Sequence, residues 1–174
     1  CLGIDVVIAI TIIAFGVKYK NPWAIILALI QIAGTLVYEF MFAHGLECSR
    51  SLYIDSLSLI MALIIGIVGT GICVYSIGYM HDFYFGIHHP ETEMPDRRPT
   101  FFALMFVFLS AMYGIIFFNN LIWLFTAWEV TTLCSFLLIG FTKTDEAIHN
   151  AFRQIIMNLV GGIAFLAALY YLAI

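Results

Sequence analysis

The chain has 174 residues, of which 63% are hydrophobic and 10% charged, with a formal net charge of −4. A soluble domain carries about 25% charged residues, so this composition, with its mean hydropathy of +1.04, excludes a soluble globular domain and places the chain in a lipid bilayer. The acidic balance argues against a nucleic-acid partner. The four cysteines, Cys1, Cys48, Cys73 and Cys134, form no CxxC pair, which leaves metal or cluster ligation without support.

A bilayer core about 30 Å thick takes about 20 apolar residues as a helix. Six segments qualify, at approximately 2–17, 22–42, 54–80, 101–118, 121–141 and 147–174. The fold class expected is therefore all-α, a polytopic transmembrane helix bundle forming one domain over 1–174. Pro22 is placed to open the second helix. Asp55 stands at the start of the third, where a carboxylate caps a helix and favours its dipole. The fourth and fifth form one apolar stretch broken only at Asn119-Asn120, and asparagine tolerates left-handed turns, which predicts a tight helical hairpin.

The only long polar connection is HDFYFGIHHPETEMPDRRPT, His81 to Thr100, and its prolines and mixed charges read as a loop. Its histidines and acids (His81, Asp82, His88, His89, Glu91, Glu93, Asp96) lack the regular spacing of a zinc site, so a solvated loop is the better reading. Lys18, Lys20, Arg97, Arg98 and Lys143 follow the first, third and fifth helices, and only Arg50 follows the second or fourth. The positive-inside rule then puts the 81–100 loop in the cytoplasm and the N-terminus outside. The chain starts without methionine and ends inside an apolar run, YYLAI, so it is expected to be part of a longer subunit.

Glu129 is the candidate that carries chemistry. No charge lies between Arg98 and Lys143 except this one, which puts it near mid-bilayer, where a charged residue costs about 2.5–3.5 kcal/mol on insertion scales. Thr126 and Thr132 lie within about 60° of it on a helical wheel and complete a polar stripe. Intramembrane carboxylates mark ion pathways by default, and that reading is preferred to a protonated structural glutamate. No lysine or arginine of this chain lies at the same depth, so the partner of Glu129 is expected beyond Ile174 or on another subunit. On the sixth helix Gln154 and Asn158 share a face and serve either a water wire or packing beside Gly161-Gly162, and Arg153 is a further candidate to line the pathway, with snorkelling to the membrane edge the preferred reading. Asp5 lies in the first apolar run at an unassigned depth, and Glu39 near the outer end of the second helix.

The stretch WEVTTLCSFLLIGF, Trp128 to Phe141, resembles the antiporter-like membrane subunits shared by complex I (its subunit 5/L type), Mrp-type antiporters and energy-converting Ech-type hydrogenases. YIDSLSLIMAL from Tyr53, VYSIGYMHD from Val74 and FFALMFVFLSAMYGIIFFNNLIWLFTAWE from Phe101 extend the resemblance over about residues 50–174. In that family the glutamate matching Glu129 belongs to a proton pathway and pairs with a lysine on the seventh helix. Complex I proper carries Trp-Glu-Gly-Val-Gly where this chain has Trp128-Glu129-Val130-Thr131-Thr132, and Arg-Val-Gly-Asp where it has Leu159-Val160-Gly161-Gly162. WEVTTLCSF and RQIIMNLVGG (from Arg153) look more like the Ech-type branch. The resemblance implies a non-catalytic ion-translocating subunit of a membrane-bound oxidoreductase in a prokaryotic inner membrane. It would bind no cofactor itself, and nickel-iron and iron-sulfur centres would sit in a peripheral redox module. A subunit of complex I, a stand-alone Mrp-type Na+/H+ antiporter and a non-transporting membrane scaffold are the rival readings.

Overall fold

A computed structural model describes residues 2–42, 52–85 and 97–173. Among the described residues six α-helices run in order: α1 (Leu2–Lys18), α2 (Pro22–Phe42), α3 (Ser56–Phe85), α4 (Arg98–Phe117), α5 (Leu121–Ile139) and α6 (Asp145–Ala173), with a 3-10 turn at Gly140–Thr142. Among the described residues four helices are long and apolar enough to cross a membrane, over Ser56–Tyr84, Arg98–Phe117, Leu121–Thr142 and Asp145–Leu172. The six expected helices are all present, and these four meet that measure over the described residues. The 17 residues of α1 reach only about 25 Å at 1.5 Å per residue, and α2 is described as apolar over Pro22–Tyr38. The chain is an integral membrane protein.

α1, α2, α6 and α5 close a four-helix ring, each packed on the next, with α4 flanking α5 and α3 flanking α4. Most of α3 is exposed apolar surface, including Leu63, Ile67, Ile72 and Ile77, which suits a helix bathed in lipid tails. Two apolar clusters fill the ring. One joins Ile8, Ile12, Ala24, Ala28, Phe136, Phe152, Ile155 and Leu159. The other joins Tyr38, Phe125, Leu166 and Leu169. Phe125 and Phe136 lie on either side of Glu129 along α5, so the carboxyl sits between the two clusters.

Local chemistry accounts for the helix ends. The Asp55 carboxyl accepts from the Ser58 amide at 2.7 Å, and the Ser58 hydroxyl accepts from the Asp55 amide at 2.8 Å. This reciprocal cap satisfies donors that the first turn of α3 would otherwise leave open. The Ser58 amide and hydroxyl hold the Asp55 carboxyl below the usual carboxylate range. Thr144 caps α6 by accepting from the Ala147 amide at 3.2 Å.

Two expectations about connections are corrected. Neither Asn119 nor Asn120 is left-handed; Asn120 is extended (φ −118°) and caps α5 by accepting from the Ile122 amide. Among the described residues the left-handed positions are Lys20 and Lys143, with φ 55° and 57°. The polar connection does not begin at His81, because α3 continues to Phe85 and α4 already starts at Arg98. Tyr75, Tyr79 and Phe83 stack successively at i, i+4 spacing along α3, which favours continued helix over a turn. Residues 86–96, with His88, His89, Glu91, Glu93 and Asp96, lie outside the described residues.

Candidate functional site

The polar stripe of α5 faces into the ring. Thr126, Glu129 and Thr132 are 3%, 5% and 1% exposed. Spacings of three residues put them on one side of a helix, and the ring closes over that side. From α2, the Gln31 side-chain amide donates to Glu129 Oε1 at 2.5 Å. From α1, Asp5 Oδ2 accepts from the Thr126 hydroxyl at 3.4 Å. Thr132 turns its hydroxyl back to the Trp128 carbonyl at 3.1 Å and accepts from Asn158 Nδ2 of α6 at 3.4 Å. The other three ring helices therefore each send a polar side chain to this stripe.

Gly162 makes the approach of Gln31 possible. A Cβ at position 162 would stand 2.9 Å from Gln31 Nε2 and 3.1 Å from its Oε1, so only glycine leaves the amide its place. Asp5, Gln31, Thr35 and Glu129 line a cavity of about 10 Å³, closed by Ile12, Phe125 and Leu159. That is about the room one water needs, and water needs polar walls to enter. Gln31 Oε1 has no hydrogen-bond partner among the described residues, so an acceptor stands ready there.

Chemically, the arrangement offers two carboxyl groups, a fixed amide donor and a polar space of one water. Such a set can hold a proton and pass it along. A carboxylate at Glu129 keeps the Gln31 donor, and its neutral acid can donate a proton to water or to the second carboxyl. Burial among apolar side chains prevents bulk water from short-circuiting that exchange.

The structure brings Asn158 to the stripe through Thr132. Gln154 stays apart, with its Oε1 unpaired among the described residues, and Arg153 is exposed on α6. Within this chain Glu129 has a hydrogen-bond partner, Gln31, that the sequence reading did not name. Gln31 was missed, although it and Thr35 are the polar interruptions of the α2 run Pro22–Tyr38. Asp5, whose depth was unassigned, is buried beside the site. Glu39 lies in α2, but its side chain is outside the described residues. His81 and Asp82 pair at 3.6 Å on the exposed end of α3, and no group of three or more potential metal ligands occurs among the described residues. Cys73 and Cys134 are free thiols.

Comparison with known proteins adds an independent line. The family model described as "NADH-Ubiquinone oxidoreductase (complex I), chain 5 N-terminus" matches residues 40–84. The model described as "NADH:quinone oxidoreductase/Mrp antiporter, TM" matches residues 118–173, which include the whole polar stripe. The Na(+)/H(+) antiporter subunit A1 proteins of Staphylococcus aureus strains JH9 and Newman are each 32% identical over 124 residues. That stretch covers 71% of this chain and 14% of each relative, so the chain spans only a small part of their length. No solved structure matches.

Proposed function

Because the chain belongs to the family of antiporter-like membrane subunits shared by complex I and Mrp antiporters, we propose that it translocates protons through Glu129. The observation that carries this reading is the buried Glu129 carboxyl, held by Gln31 and facing a water-sized cavity that Asp5 also lines. A proton delivered to the cavity converts Glu129 to its neutral acid. Its departure toward Asp5 and Thr126, or along Thr132 and Asn158, restores the carboxylate. Thr126, Thr132 and Asn158 line the route; Gln31 positions the carboxyl.

The complex around the subunit is part of the same proposal. WEVTTLCSF and RQIIMNLVGG favour an Ech-type hydrogenase, in which nickel-iron and iron-sulfur centres belong to partner subunits. The 32% identity to a Na(+)/H(+) antiporter subunit favours the second reading, a stand-alone Mrp-type assembly exchanging sodium for protons. Co-purification separates them, since a hydrogenase-like redox subunit accompanies the chain in the first case alone. Either complex would place the chain in a prokaryotic inner membrane, and the positive-inside rule would put the N-terminus outside and the connection between α3 and α4 in the cytoplasm.

The test of the ion-carrying role is proton uptake by proteoliposomes. Glu129→Gln preserves shape and accepts the Gln31 bond but cannot release a proton, and it is expected to assemble and lose nearly all uptake. Glu129→Asp keeps the acid with a shorter reach and is expected to retain part. Full uptake by an assembled Gln variant would make Glu129 a structural residue and the subunit a scaffold at this position.

A further inference from the structure

A second cavity, of about 330 Å³, opens between α1, α4, α5 and α6, away from Glu129. Its walls are mainly aromatic and aliphatic, with Phe15, Leu104, Phe136 and Phe152 among them, yet Arg97 and Lys143 line it as well. The positions of the cations along the chain are informative. Lys143 lies in the short link between the spans ending at Thr142 and starting at Asp145, and Arg97 directly precedes the span starting at Arg98. Lys18, the last residue of α1, adjoins Tyr19 of the cavity wall. All three therefore stand at helix ends, at the level where a bilayer passes from hydrocarbon to headgroups.

Among the described residues Lys18, Arg97 and Lys143 make no ion pair, and no acidic residue lines the cavity. Asp145 and Glu146 follow in the first turn of α6 but are exposed and do not line it. Partial desolvation pushes the Lys143 ammonium below its ordinary range, and the Arg97 and Lys18 charges push it further the same way. Three gathered cations at the mouth of an apolar cavity favour an amphiphile with a negative head. A helix from a protein partner would present side chains on all sides but no obligatory anion, so the charge singles out lipid.

We propose that this cavity binds an anionic phospholipid, its phosphate held among Lys18, Arg97 and Lys143 and one acyl chain lying against Phe15, Phe136 and Phe152. Basic side chains at a membrane surface each strengthen anionic-lipid binding by roughly fivefold. The experiment is native mass spectrometry of the purified full chain in detergent, titrated with phosphatidylglycerol or with phosphatidylcholine of the same acyl chains. Phosphatidylglycerol is expected to be retained preferentially. Arg97→Gln with Lys143→Gln is expected to weaken it by roughly 30-fold, whereas Arg97→Lys with Lys143→Arg should preserve it, which separates lost charge from lost fold. Leu104→Trp, which fills the cavity and leaves the charges, should also expel the lipid. The proposal is overturned if the neutral double variant or the Trp variant retains phosphatidylglycerol as the parent does. Equal retention of phosphatidylcholine, or displacement of the lipid by inorganic phosphate alone, would also overturn it.

Discussion

Gly161 and Gly162 are neighbours on α6, yet the structure assigns them different consequences. A Cβ at Gly161 meets only Trp128 at 3.9 Å, an ordinary contact, while one at Gly162 meets Gln31 Nε2 at 2.9 Å. Both Gly→Ala changes gain helix propensity, about 1 kcal/mol each. Only Gly162→Ala must push the Gln31 amide off Glu129 Oε1, and a hydrogen bond to a charged group is worth about 1.5–3 kcal/mol. The two variants should therefore differ in stability by about 1.5–3 kcal/mol. At about 2–4 °C per kcal/mol for a chain of this size, Gly162→Ala should melt at least about 3 °C below Gly161→Ala in the same detergent. In a Gln31→Ala background the obstacle is gone, and Gly162→Ala should there behave like Gly161→Ala. Equal melting temperatures for the two single variants, or a deficit that survives in the Gln31→Ala background, would refute the coupling of Gly162 to Glu129 through Gln31.

Two further outcomes are expected. The Asp55 carboxyl is held below its ordinary value of 3.8 by Ser58, so its cap on α3 is fully present above that pH and is lost as pH falls through the lower folded value. The protection of the Ser58 amide, its exchange measured relative to the intrinsic rate at each pH, should fall on that descent in the parent, with no such step in Asp55→Asn, and a step in both would remove the carboxyl as its cause. For orientation, a cysteine placed at Thr92 in a cysteine-free background should resist an impermeant thiol reagent added outside, and ready labelling from outside would reverse the topology.

The site was legible in the sequence where a single helix determined it. Glu129 stands out because no other charge shares its apolar run, and Thr126 and Thr132 follow from helical spacing alone. Gln31 reaches Glu129 from 98 residues away, and no periodicity within α2 or α5 specifies which helices meet. Its polarity in an apolar run is the available signal, but residue type alone does not select an amide over the cation that a buried carboxylate ordinarily pairs with. The hairpin at Asn119-Asn120 was legible as a break, but its geometry depended on whether the asparagine side chain capped α5 or the backbone turned left-handed, and residue type permits both. At the end of α3 the polar pair His81 and Asp82 suggested a loop, while the Tyr75, Tyr79 and Phe83 stack prolonged the helix. The left-handed Lys143 carried no signal, since lysine is not a residue that favours that conformation.

The central claim is that Glu129 changes protonation while ions move. The direct measurement is the infrared difference spectrum of the reconstituted protein during an imposed proton gradient. A carboxyl C=O band should appear and disappear with flux, shift in Glu129→Asp and vanish in Glu129→Gln. A band set that stays constant while protons cross the membrane, or an identical difference spectrum in the Gln variant, would contradict the account.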